Sequence, residues 1–136
     1  MKIKLLTLTI LICFIYVIAV SFQAANPLQG VWEYKGAKYG KYAVTATKEV
    51  RLQKVYSPSG YQVLAIYPNG KTVKNEEGTY AVKNNIEIET QTYSNLTSAL
   101  KSKVMQYTFD IKNNKLTIKG KFTNKSPMEE YWQKIK

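Results

Sequence analysis

Apolar and polar side chains alternate along most of the chain after residue 26. This period of two is typical of strands with one buried face, and no segment here has the spacing of an amphipathic helix. Turn-forming Gly, Pro and Asn residues separate most of the alternating segments. The pattern predicts strands at 30–35, 47–56, 61–67, 71–83, 86–93, 104–112, 115–122 and 128–135.

The phase of each alternation predicts which side chains face the core. In segment 86–93, Ile86 and Ile88 are predicted inside, and the glutamates that alternate with them are predicted in solvent. A break in the alternation at Val55 predicts a bulge in the second strand. Other side chains predicted to face inward are Tyr61, Val63, Ala65, Tyr80, Met105, Tyr107, Phe109, Leu116, Ile118 and Gly120.

The connections between the strands are mostly short. Asn84-Asn85 and Asn113-Asn114 predict tight hairpin turns, because Asn tolerates left-handed backbone angles. Segment 36–46, which is rich in Gly, Lys and Tyr, is predicted to be a connection without a strand. Hairpins make neighbours in sequence neighbours in space, so the strands are expected to form one antiparallel meander.

A meander of eight strands with one apolar face has to fold over or close. Closure into a barrel buries that face and also removes the two unpaired edges. Trp32 in the first segment and Trp132 in the last would then meet at the seam. The predicted fold class is therefore all-β, an eight-stranded antiparallel up-and-down barrel, with a flattened sandwich as the competing architecture.

The first 25 residues have the three-part layout of a secretory signal peptide. Two lysines give a positive start, an apolar run covers residues 5–20, and small residues follow. The run is shorter than the roughly 20 residues that span a bilayer. We expect cleavage after Ala25, with Ser21 as the alternative site, and an exported domain over 26–136 that is not inserted in a membrane.

The residue content excludes several kinds of site. The chain has no His, and its single Cys, Cys13, lies in the predicted leader, so a Cys nucleophile and a Cys/His metal cage are not expected. The formal net charge is +11, and removal of Lys2 and Lys4 with the leader leaves +9. Arg51 is the one arginine, whereas nucleic-acid readers rely on arginine. Scattered lysines favour solubility instead. The sequence predicts no nucleic-acid partner, no cofactor and no metal.

Residues at both ends of the predicted barrel resemble a known family. Gly30-Val31-Trp32 matches the Gly-x-Trp signature on the first strand of lipocalins, and segment 129–134 resembles a closing strand. The resemblance covers about residues 28–136 and points to the small lipocalin-like domains that Gram-negative bacteria export to the periplasm or secrete. It implies that Trp32 packs at the closed end against a basic residue. The expected structural plug of the barrel is Trp32, Trp132 and Lys134, with Lys136 as the alternative base.

The tyrosines on the predicted inward faces allow two interpretations. Rings with a hydroxyl group suit a pocket for a small hydrophobic or amphipathic ligand, but the same rings can simply fill the barrel. Small inward residues, Ala65 and Gly120, favour the pocket. The leading hypothesis is a non-catalytic binding protein; the alternative is a filled-core module for protein interaction or structure at the cell envelope. The predicted ligand contacts are Tyr61, Val63, Tyr80, Ile88, Met105, Tyr107 and Phe109.

Carboxylate pairs give little support to an enzyme. Glu129 and Glu130 are adjacent, so on a strand they point to opposite faces, and Glu76-Glu77 is predicted to lie in a turn that interrupts the strand at 71–83. No evident partner would move their pKa values toward neutrality. The sequence therefore predicts no catalytic residue. An isomerase- or cyclase-type enzyme and a barrel that binds oligonucleotides or oligosaccharides are the minor alternatives.

Overall fold

The structure, a computed structural model, describes residues 26–95, 101–121 and 126–136. The predicted signal peptide at 1–25 lies outside the described residues. All regular elements in the described ranges are strands, which confirms the all-β prediction. None of the described residues belongs to a helix long and apolar enough to cross a membrane. The strands are β1 (Gly30–Tyr39), β2 (Tyr42–Thr45), β3 (Arg51–Tyr56), β4 (Tyr61–Ile66), β5 (Thr72–Lys83), β6 (Ile86–Ser94), β7 (Val104–Lys112), β8 (Lys115–Lys121) and β9 (Pro127–Lys134).

The strands form one antiparallel sheet that closes on itself. From β3 to β9, each strand pairs with the next along the chain. The last strand, β9, then pairs with β1, from Trp32 opposite Lys134 to Tyr39 opposite Met128. This pairing confirms the closed eight-stranded barrel, and the alternative of a flattened sandwich is wrong, because first and last strands join.

The additional strand, β2, comes from a segment predicted to be a plain connection. β1 continues to Tyr39 and turns back as β2. Along the edge of β1 that faces away from β9, Gly30–Glu33 pairs with β3 and Gly36–Tyr39 pairs with β2. β2 therefore continues the position of β3 in the barrel. The prediction is wrong for segment 36–46 because all β2 side chains are exposed and no apolar face marks the strand.

The predicted turns and the predicted bulge have different outcomes. Asn84 has a φ angle of 56°, and Asn113 and Asn114 have φ angles of 51° and 60°, which confirms left-handed turns at both positions. The register between β3 and β4 runs through Val55 without a shift, so the bulge predicted there is wrong. The register shifts lie instead between Tyr34 and Gly36, between Val63 and Leu64, and between Glu77 and Gly78.

The faces of β6 are opposite to those predicted. Ile86 and Ile88 are only half-buried, whereas Glu87 is completely buried and Glu89 is 7% exposed. The glutamates therefore point into the barrel. The prediction is wrong because it rests on the usual preference of carboxylates for solvent. In this barrel a buried charge of opposite sign, Lys54 on β3, makes their burial tolerable.

A cluster of buried side chains fills one end of the barrel. Trp32 is completely buried, and its Nε1 donates a hydrogen bond of 2.7 Å to the carbonyl of Leu28. The Asn26 amide donates to the Tyr80 hydroxyl (2.9 Å), which donates in turn to the Ser57 carbonyl (2.8 Å). The segment that precedes β1 therefore covers this end, which we call the closed end. The cluster also contains Tyr56, Tyr61, Phe109, Leu116, Ile118 and Trp132.

Candidate functional site

The other end of the barrel is open and contains a cavity of about 520 Å³. The cavity extends from Ile118 and Trp132, at the top of the buried cluster, to Val44 of β2 and to Val50 at the rim. The barrel interior is thus filled at one end and empty at the other. Apolar side chains on the cavity wall are Val44, Val50, Leu52, Val63, Met105, Ile118 and Met128.

Two glycines position tyrosine rings on the cavity wall. Gly78 lies opposite Tyr61 in the register, and a Cβ atom at Gly78 would lie 2.7 Å from Cε1 of that ring. A Cβ atom at Gly120 would lie 2.4 Å from Cδ1 of Tyr107. Each ring therefore packs directly on a glycine backbone. The space that the sequence suggests at Gly120 is occupied by Tyr107.

The tyrosine hydroxyls on the cavity wall keep their protons. Burial is the largest cause that raises the pKa of Tyr61 and of Tyr107 above its usual value. Burial also raises the pKa of Tyr34 and Tyr39. These four side chains therefore present neutral hydroxyl groups that can donate or accept a hydrogen bond.

A buried ammonium lies beside this cavity. Lys54 is 6% exposed; its Nζ forms an ion pair with Glu89 and lies 4.0 Å from Oε1 of Glu87. The same nitrogen lies 5.0 Å from the ring centroid of Tyr56 and 4.7 Å from that of Tyr61. Burial alone would lower the pKa of Lys54, but the surrounding groups, Glu89 first, raise it well above its usual value. Lys54 is therefore charged and already surrounded by partners.

Carboxylates outnumber this ammonium inside the barrel. Burial raises the pKa of Glu87 to about 8, although Lys54 opposes the effect. Burial also raises the pKa of Glu76 and of Glu130, and both side chains border the cavity. Together with Glu89, which also borders the cavity, these residues place four carboxyl groups around one lysine.

Four of the predicted ligand contacts lie on the cavity wall. They come from β4 and β7, two strands whose inward phase follows the predicted alternation. As contacts of a ligand they remain predictions, since the structure describes the protein alone. These residues are Tyr61, Val63, Met105 and Tyr107.

The other three predicted contacts lie away from the cavity. Tyr80 and Phe109 pack at or within the buried cluster of the closed end. Ile88 is half-buried on the outer face of β6, because the inward positions beside it belong to Glu87 and Glu89. A ligand in the cavity would not reach Ile88 from inside the barrel.

The three residues of the predicted plug have different surroundings. Lys134 lies opposite Trp32 in the register between β1 and β9, and its Nζ lies 5.2 Å from the centroid of the Trp32 ring. Trp132 is 5% exposed and meets the Tyr34 ring edge-on, with centroids 5.2 Å apart and planes at 68°. Because Trp132 also borders the cavity, it forms the floor between the filled and open ends.

The polar interior is the feature that the sequence pattern did not reveal. The pattern predicts a turn at Glu76, whereas this residue lies within β5 and borders the cavity. Lys54 lies in the phase of Leu52 and Tyr56, and a charge in an apolar phase is a sign in the sequence of a buried polar interior. Within the described ranges, no group of three or more His, Cys, Asp or Glu could hold a metal ion.

Two solved structures share this architecture. A lipocalin-like protein from Bacteroides uniformis ATCC 8492 aligns with a TM-score of 0.60 and 9% identity, over 81% of this chain and 100% of the other. An uncharacterized protein from Bacteroides eggerthii DSM 20697 aligns with a TM-score of 0.58 and 9% identity, over 79% of this chain and 98% of the other. At this identity the likeness shows the fold alone. It confirms a lipocalin-like domain.

Sequence comparison adds a family but no activity. No curated protein matches the chain. Residues 27–136 match the family model described as "Domain of unknown function (DUF4488)", which covers the whole barrel. The chain therefore belongs to the DUF4488 family, in which it forms a lipocalin-like barrel.

Proposed function

We propose that this domain binds a small amphipathic molecule in the open half of the barrel and carries out no chemical step on it. The observation that carries this proposal is the cavity of about 520 Å³, which lies within the range of about 300–1,000 Å³ typical of small-molecule sites. Its wall combines apolar side chains with tyrosine hydroxyls and carboxylates. Each methylene that a ligand buries there contributes about 0.8 kcal/mol, before the cost of ordering is subtracted.

Two neighbouring residues of β7 provide a matched test. Met105 borders the cavity, whereas Val104 is 62% exposed on the outer face. The neutral fluorophore N-phenyl-1-naphthylamine should bind the purified domain saturably, with a blue-shifted emission. Met105→Trp should fill the cavity and weaken this binding at least about tenfold, which corresponds to roughly 1.4 kcal/mol. Val104→Trp should bind the dye as the parent protein does.

Two results would contradict a binding function. One is the absence of saturable dye uptake by a folded parent domain, which would favour the alternative of an interaction module. The other is equal dye binding by the parent and by Met105→Trp, which would place the dye outside the barrel. Circular dichroism and thermal unfolding of each variant would establish that the barrel is intact.

We also propose that the chain is exported and that its ligand leaves unchanged. The leader-like pattern of residues 1–25 supports export. The absence of His and of a Cys after the leader supports a binding role without catalysis. Mass spectrometry of the protein produced in a Gram-negative host should find a mature N-terminus at Asn26 outside the cytoplasm. A full-length chain in the cytoplasm would refute export.

A further inference from the structure

The distribution of charge inside the barrel indicates what kind of ligand the cavity accepts. Lys54 already has Glu89 as an ion-pair partner, with Glu87 at 4.0 Å, and it lies over two tyrosine rings. Lys54 also borders the cavity, but its ammonium is already engaged by the Glu89 carboxylate and the two rings. A ligand carboxylate or phosphate would have to displace these partners, so the cavity is poorly suited to an anion.

Two other carboxylates border the cavity beyond ion-pair distance of Lys54, which still lowers the pKa of each against the effect of burial. Glu76 projects from β5 and Glu130 from β9, and within the described chain neither forms an ion pair with a Lys or Arg. Glu130 accepts hydrogen bonds from Nε1 of Trp132 at 3.1 Å and from the Tyr39 hydroxyl at 3.4 Å. Both neighbours are neutral, and Lys54, the cation that lowers the pKa of Glu130 against the effect of burial, forms no ion pair with it.

A buried amide beside Glu76 also lacks a partner. Gln91 on β6 is 5% exposed and borders the cavity, and its side-chain oxygen Oε1 has no hydrogen-bond partner. The same amide is close enough to Glu76 to lower the pKa of that carboxyl group, although burial raises it overall. A buried acceptor without a donor is costly in a folded protein, and a ligand N–H group would satisfy it.

We infer that the cavity binds a primary organic amine in its protonated form, with the ammonium group at Glu76 and Gln91 and the apolar part toward Val63 and Met105. Glu130 contributes a second negative charge on the opposite side of the cavity. An ammonium group supplies both missing elements, a positive charge and N–H donors. This inference rests on the proposed function and names the ligand class of the same site.

Four probes with the same chain of eight carbons separate the ligand chemistries. Octylamine, octyltrimethylammonium, octanol and octanoate would each compete with N-phenyl-1-naphthylamine for the parent domain at pH 7. Octylamine should bind best, about ten- to a hundredfold more tightly than octanol, as expected for a charge-assisted hydrogen bond. Octyltrimethylammonium should fall between them because it has the charge but no N–H group, and octanoate should bind least.

Adjacent glutamates provide matched control variants. Glu76→Gln should weaken octylamine binding about tenfold or more and leave octanol unchanged, whereas Glu77→Gln alters an exposed neighbour paired with Lys74 and should change neither. Glu130→Gln should weaken octylamine binding several-fold, in contrast to Glu129→Gln, whose side chain faces Lys119 on the outside. If Glu76→Gln fails to fold, Glu130→Gln and the four probes still test the inference.

The outcomes distinguish this inference from the proposed function. If octanol or octanoate competes as well as octylamine, the amine inference is overturned while a binding function stands. If Glu77→Gln weakens octylamine binding as much as Glu76→Gln, the placement of the ammonium is wrong. If neither the dye nor any of the four probes binds, the proposed function itself fails.

Discussion

Lys54→Met tests the buried charge cluster most directly. The substitution keeps a chain of similar length on β3 but removes the ammonium that faces Glu89 and Glu87. Both glutamates are almost inaccessible to water, at 7% and 0% exposure, so solvent cannot replace the lost partner. The expected effect is a large loss of stability that depends on pH.

The magnitude follows from the cost of an unpaired buried charge. Two unit charges 4 Å apart attract by about 4 kcal/mol at an effective dielectric constant of 20, and removal of one partner of a buried pair costs about 3–5 kcal/mol. Single domains are stable by about 5–15 kcal/mol, so Lys54→Met should lose a large part of this at pH 8. Lys54 is the largest cause that opposes burial at Glu87, so without it the pKa of this carboxyl group should rise above about 8.

The pH dependence has a definite sign. A carboxyl group whose pKa is raised in the folded state binds its proton more tightly there than in the unfolded chain. Its stabilising contribution is present below the unfolded value, near 4.5, and is lost as the pH rises through the folded value. The penalty of Lys54→Met should therefore be smaller at pH 5 than at pH 8.

Urea unfolding at both pH values, followed by tryptophan fluorescence, measures this effect. Lys119→Met is the control, because it removes a lysine that faces Glu129 on the exposed surface and should cost less than about 1 kcal/mol at either pH. A loss below about 1 kcal/mol for Lys54→Met at pH 8, or a larger loss at pH 5 than at pH 8, would refute the reasoning.

Three further predictions concern the barrel wall, the interior charge and a turn. Gly120→Ala should cost about 1–3 kcal/mol in urea unfolding and weaken dye binding, because the new methyl group displaces the Tyr107 ring into the cavity; unchanged dye affinity would contradict this. On folding, the parent takes up a proton at Glu87 between about pH 4.5 and 8, and Glu87→Gln removes this uptake. As the pH rises through this range, the free energy of unfolding of the parent should fall relative to that of the variant by up to about 1.4 kcal/mol per pH unit. Parallel pH profiles of the two free energies would argue against this. Asn114→Val should cost about 1–2 kcal/mol and Asn114→Gly little, since φ is 60° there; equal thermal stability of the two variants would disprove the strain.

The barrel could be predicted from the sequence because its strands obey simple rules. The two-residue period and the Asn-Asn turns are local patterns that agree with one another, and closure follows from the need to bury one face. β2 could not be predicted, because it has no buried side chain to set its phase. Backbone pairing with β1 alone defines it.

The candidate site could be predicted only in part, for a physical reason. Tyr61 and Tyr107 follow from alternation, since aromatic side chains in an apolar phase face the interior. Lys54 and Glu89 break that rule, because a buried charge is tolerated only when a partner from a distant strand meets it. Such partners come into contact only when the barrel closes, so no short stretch of sequence can predict which charges pair.

The attachment of β2 has a consequence for the local stability of the cavity rim. Within the described ranges β2 is hydrogen-bonded to β1 alone, and Val44 and Thr45 form part of the cavity rim. Detachment of β2 breaks one ladder of hydrogen bonds, whereas any other wall strand is held by at least two. Amide protons in β2 should therefore exchange with deuterium well before those of β9.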